Sequence, residues 1–209
     1  MSQSEIVYRI TKQTGFYGEI CALPIALQGV AVSTEYFLSG TVAYSPGDYL
    51  TVVAKHLNAK VRLPLVGPIE AAIQGRESDR VDITVVGNKD EDRDYPHTGT
   101  GLQQFIDSIF RPFVVSYHEA HKSEIESLHP AGRDTWPDSW QMSWAVRNAS
   151  AHNGTVFTKP NGKSVSWRGI RHTPAHDQTS LILSQVNGGD LLVLFMEMEE
   201  SRAGVPLCA

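Results

Sequence analysis

Apolar side chains recur at steps of three and four along some stretches of this chain and at alternate positions along others. That contrast lays out the expected elements. In "LPIALQGVAVSTEYFLSG", Leu23, Leu27, Val30, Ala31, Thr34, Phe37 and Leu38 form a helical stripe. Pro24 suits its first turn, and Gly40 or the Ser45-Pro46-Gly47 turn ends it. Asp48 reads as the N-cap of a second, shorter helix, "YLTVVAKHLNA". Residues 60–100 read as an irregular insertion, because Pro64, Gly67, Pro68, Gly75 and Gly87 punctuate short apolar runs. Within it "VDITVVG" alternates as a strand does, and "NKDEDRDYPHTGTG" is a polar loop.

The strongest periodicity lies in "GLQQFIDSIFRPFVVSYHEAHKSEIESLH". Leu102, Phe105, Ile106, Ile109, Phe110, Phe113, Tyr117, Ile125 and Leu128 fall mainly on one face, which predicts a long core helix kinked at Pro112. "HPAGRDTWP" breaks it, and Pro137 opens a further helix running through Trp140, Trp144 and Arg147 to His152. Asn153-Gly154 supplies a left-handed stop. A β excursion over residues 155–183 follows, with two short strands around Pro160-Asn161-Gly162. A closing helix starts at a cap, Asp190, and carries Leu191, Leu194, Phe195 and Met198 at helical spacing. The expectation is a mainly α fold: one domain over 1–209, a helical bundle with a small β-hairpin inserted before the last helix.

Composition narrows the class. At 41% hydrophobic and 20% charged, the 209 residues can bury a core and lack the signature of disorder. No apolar run reaches the roughly 18 residues of a bilayer span, and "MSQSEIVYRITKQTG" lacks the pattern of a signal peptide, so a cytoplasmic protein without membrane partners is expected. Cys21 and Cys208, the only cysteines, are expected as free thiols. The net charge of -5 argues against a general nucleic-acid binder, yet its distribution is uneven. Arg147, Lys159, Lys163, Arg168 and Arg171 give residues 147–176 a charge of +5 with no Asp or Glu, leaving -10 on the rest. Such a segment can focus an anionic ligand on one face.

That basic segment opens with candidate chemistry, "AVRNASAHNG". Arg147 offers a planar fork of donors matched to phosphate oxygens, and a histidine such as His152 can take or give a proton near neutral pH. Asn148 can position a phosphate or hydroxyl without adding charge. A step of five residues turns Arg147 and His152 roughly 140° apart on an ideal helix. Asn148 and His152 are four apart and continue the stripe of Trp140 and Trp144.

Arg147-Asn148-Ala149-Ser150-Ala151-His152 resembles the R-N-x-x-x-H form of the motif that marks the HEPN superfamily, helical proteins abundant among prokaryotic toxins and antiviral systems. The Asn-Gly, "VSWRGI" and closing helix that follow look similar to some bacterial members, so residues 99–203 carry the resemblance. It implies a metal-independent endoribonuclease in which a ribose 2′-hydroxyl attacks the adjacent phosphate. Arg147 would stabilise the phosphorane, His152 would shuttle the proton and Asn148 would orient the scissile group. It also implies a twofold homodimer, which would bring together residues set 140° apart, and an antitoxin protein as a possible partner. Some relatives carry a tyrosine two residues after the histidine, where this chain has Gly154, which puts neutralisation by nucleotide addition in doubt. Lys163, Arg168 and Arg171 are expected to hold backbone phosphates if the hairpin reaches over the cleft. A dimeric module that binds RNA or protein without cleaving is the alternative.

Other chemistries have less support. His118, His121, His172 and His176 suggest a four-ligand metal site, but "HEAH" is one residue short of H-E-x-x-H, so no metal or other cofactor is expected. Dinucleotide, P-loop and nucleophile-elbow motifs are missing from the sequence.

Overall fold

Residues 48–59, expected as a short helix, instead form a strand and a turn. The computed structural model describes residues 39–40, 48–64, 66, 74–75, 83–87, 101–152, 154–157, 162–179 and 185–204. Strand β1 (Tyr49–Ala54) pairs antiparallel with β2 (Ala59–Pro64), placing Val52 opposite Val61 and Ala54 opposite Ala59. These four side chains are buried while Thr51 and Arg62 are exposed. The burial period is therefore two, and the β-branched residues at 51–53 favour the strand. Asn58 closes the four-residue turn with φ of 49°, a left-handed conformation asparagine tolerates. Strand β3 (Thr84–Gly87), anticipated within "VDITVVG", pairs with β2 and completes a sheet of order β1-β2-β3. Two regular elements thus occupy part of what read as an irregular insertion.

The long helix forms as expected: α1 spans Gly101–Leu128, a single element with Pro112 inside it. A 3-10 turn at Arg133–Thr135 carries the chain back to α2 (Asp138–Ala151), with Pro137 at the N-cap, just ahead of the first turn. Strands β4 (Val165–Trp167) and β5 (Ile170–His172) form the hairpin, but its turn is Arg168-Gly169 and not Pro-Asn-Gly. Both turn residues have positive φ, 49° and 86°, the arrangement that matches the twist of a two-residue hairpin. The closing helix α3 spans Gly188–Ala203, and its N-cap is Asn187, not Asp190. Asn187 Oδ1 accepts from the Asp190 amide at 3.1 Å while Asp190 Oδ2 accepts from the Asn187 amide at 3.1 Å, a reciprocal capping box.

Among the described residues there are three α-helices and five strands in two antiparallel sheets. The expected helical bundle is accordingly corrected to a mixed α and β fold; the helix expected over residues 23–38 and the loop over 88–100 lie outside the described residues. Helix α3 packs on α1, α2 and β1, joining helices and sheet into one core. Trp140, Ile125, Met142, Leu191, Leu194 and Met198 fill its centre, with Val61 from the sheet and Trp167 and Ile170 from the hairpin. Trp140 Nε1 donates to the Met198 carbonyl at 2.9 Å, satisfying the one polar atom of that buried indole.

Candidate functional site

Trp140, Trp144, Asn148 and His152 follow one another at steps of four along α2. Each step overshoots a full turn by about 40°, so the row rotates out of the core. Trp140 is fully buried, Trp144 and Asn148 are half-buried, and His152 is exposed. The Arg133 guanidinium lies 3.5 Å above the Trp144 ring, covering it where it leaves the core. The helix stops where its sequence anticipates: His152 is the C-cap, the Gly154 amide donates to the Ala149 carbonyl at 2.7 Å, and Gly154 has a φ of 89°. Arg147 and His152 therefore stand at the solvent-facing end of one helix.

Each side chain has a definite partner there. Arg147 Nε donates to Glu119 Oε1 of α1 at 2.5 Å, and the ion pair holds the Glu119 carboxyl below its usual range, chiefly through that hydrogen bond. Among the described residues Glu119 is the acceptor Arg147 meets, through Nε, and the Arg147 side chain is 41% exposed. Asn148 Oδ1 accepts from the Phe157 amide at 2.9 Å, which ties the segment after the helix onto its last turn. The His152 ring meets the Phe157 ring edge to face, centroids 4.9 Å apart at 75°. Glu119 and Phe157 escaped the sequence reading. Glu119 lies 28 residues from its partner, and Phe157 read as a strand residue; an exposed aromatic just after the motif was the one available signal.

The expected phosphate-binding cations divide between places. Lys163 Nζ pairs with Asp134 Oδ2 at 3.0 Å, beside the start of α2. Arg168 Nε donates to Glu197 Oε1 at 2.7 Å, and Trp167 Nε1 donates to the second oxygen, Oε2, at 2.6 Å. Arg168 and Glu197 line an open cleft of about 410 Å³ with Asp138, Ser139, Glu200 and Ser201, again at the N-terminal end of α2. That helix has 14 residues and a length of about 21 Å, so the hairpin does not carry Lys163 or Arg168 over Arg147 and His152. Arg171 is exposed on β5.

The four histidines weighed as metal ligands are dispersed in role. His118 is buried, and its Nδ1–H donates at 2.8 Å to Ser143 Oγ, which itself donates to the Trp140 carbonyl at 2.8 Å. Burial pushes its pKa down to about 4, so the ring is neutral at pH 7. His121 faces Glu124 at 3.4 Å on the surface. His172 is buried with its ring centroid 5.8 Å from that of His176, and burial lowers its pKa as well. Among the described residues no group of three or more His, Cys, Asp or Glu side chains is arranged to hold a metal ion. Likewise, no helix among them is long and apolar enough to cross a membrane.

Comparison with family models, with curated proteins and with solved structures gave no match. The chemistry of the α2 terminus is what bears on function.

Proposed function

We propose that the C-terminal end of α2 is a metal-independent endoribonuclease site, acting in a twofold homodimer. The observation that carries this reading is that Arg147 and His152 both stand near the C-terminal end of α2, the Arg147 side chain 41% exposed and the exposed imidazole set against Phe157. In the reaction a ribose 2′-oxygen attacks the adjacent phosphorus as its proton passes to one imidazole. The bond to the 5′-oxygen breaks, and the imidazole of the second copy protonates that oxygen. The products are a 2′,3′-cyclic phosphate and a 5′-hydroxyl. Arg147 stabilises the added charge on the phosphorane oxygens, and its Nε contact with Glu119 fixes the plane of the fork. Asn148 acts at one remove, holding the backbone of Phe157.

Twofold pairing is supported by Ile109 and Phe113, one helical turn apart on α1 and 42% and 54% exposed. Helix α2 meets α1 where Arg147 reaches Glu119 and Ser143 reaches His118. The toxin or antiviral role, and a neutralising partner protein, rest on the motif's resemblance alone.

Incubation of single-stranded and structured RNAs in EDTA tests the reading. Wild type is expected to release fragments with cyclic-phosphate ends, and Arg147→Ala and His152→Ala to cleave at least ~100-fold more slowly. The second reading, a module that binds RNA or protein without cleavage, is favoured by the neutralisation of Arg147 by Glu119. Intact RNA after prolonged incubation with wild type would replace the first reading with the second.

A further inference from the structure

Phe157 is 46% exposed although the backbone around it is fixed. Its own amide is held by Asn148. Its neighbour Val156 is fully buried, donates to the Thr179 carbonyl at 3.3 Å and accepts from the Gln178 amide at 2.9 Å. The segment is thus anchored on both the helix end and the 176–179 turn, which aims the ring outward instead of letting it fold inward. The near-perpendicular contact with His152 leaves at least one face of the phenyl ring uncovered by the imidazole. Of the cations of residues 147–176, Arg147 belongs to the same helix end, where it pairs with Glu119.

We infer that Phe157 is a stacking platform for an unpaired nucleobase, so that the site takes single-stranded RNA and positions the nucleotide beside His152. Proteins hold single strands by combining exposed aromatic faces, on which bases stack, with cations that meet the backbone. A duplex keeps its bases stacked on one another and cannot use the ring. The inference rests on the reading of the α2 terminus as an RNA site, and names its substrate class.

The experiment uses oligoribonucleotides with 2′-O-methyl substitution at every position, which lack the free hydroxyl nucleophile, so binding is measured apart from cleavage. One set is single-stranded, carrying 2-aminopurine at successive positions, and the other is the matching duplex. Wild type is expected to quench 2-aminopurine at one position; Phe157→Ala abolishes the quenching and weakens single-strand binding roughly tenfold. Phe157→Tyr keeps both signals, and duplex affinity is the same for all three proteins. If Phe157→Ala binds and quenches as wild type does, or wild type fails to bind the single strand, the platform is wrong. Stacking that depends on Phe157 in a protein that cleaves nothing upholds the platform and sinks the nuclease assignment. Cleavage by a protein whose quenching ignores Phe157 does the reverse.

Discussion

Asp190 has no solvent exposure, yet three backbone amides point at its carboxylate: those of His56 at 3.3 Å, Leu57 at 3.2 Å and Asn187 at 3.1 Å. Burial pushes its pKa above the usual carboxylate range, and those donors act in the opposite direction. Asp190→Ala would strand the amides of the β1–β2 turn, and is expected to lower unfolding stability by about 3 kcal/mol in urea titrations. Gly189, one residue earlier, lies against β1. A Cβ there would stand 2.5 Å from the Ala54 nitrogen and closer still to the Val53 carbonyl, so Gly189→Ala is expected to lose about 2–3 kcal/mol by the same measurement. The sequence "NGGD" read as a cap because carboxylates open helices; its long-range task was invisible, since nothing local shows that residues 55–57 lie alongside. That Arg147 and His152 share one helix end was legible for the opposite reason, as about one and a half turns and a stop signal set it locally.

Between elements, α1 and α2 meet through His118 and Ser143. The folded protein protonates His118 only near pH 4, whereas the unfolded chain does so near 6.5. Below 6.5 the unfolded state therefore takes up the proton first, and stability falls as pH drops towards 4, by roughly 3 kcal/mol in all. Denaturation at pH 7.5, 5.5 and 4.5 should show that by pH 4.5 wild type loses about 2.5 kcal/mol more than His118→Gln, which keeps a donor for Ser143. Equal losses in the two proteins would remove His118 as the cause. Periodicity made α1 readable because its apolar repeat persists through seven turns. The run 49–59 has three turns at most, and its Leu50, Val53 and Leu57 satisfy a helical spacing as well as Val52 and Ala54 satisfy alternation. Pairing with β2 decides between them, and pairing is a property of two segments.

For the whole molecule, charge and apolar surface make separate demands. The basic segment is not one patch: Lys163 and Arg168 are neutralised by Asp134 and Glu197 near the start of α2, while Arg147 stands at its end. If two copies meet across the exposed Ile109 and Phe113, sedimentation velocity should give a species of two chains that Phe113→Asp converts to one. RNA cleavage should be lost with it, because each site needs the second imidazole. A single-chain species that cleaves RNA would remove the pairing from the mechanism. The reach of Asp190 to the β1–β2 turn spans 134 residues. During synthesis the amides of His56 and Leu57 must wait, solvated, until α3 has left the ribosome. The β1–β2 hairpin is therefore locked by a stretch of chain made long after it, and premature termination before Asn187 would release a product whose hairpin has no clasp.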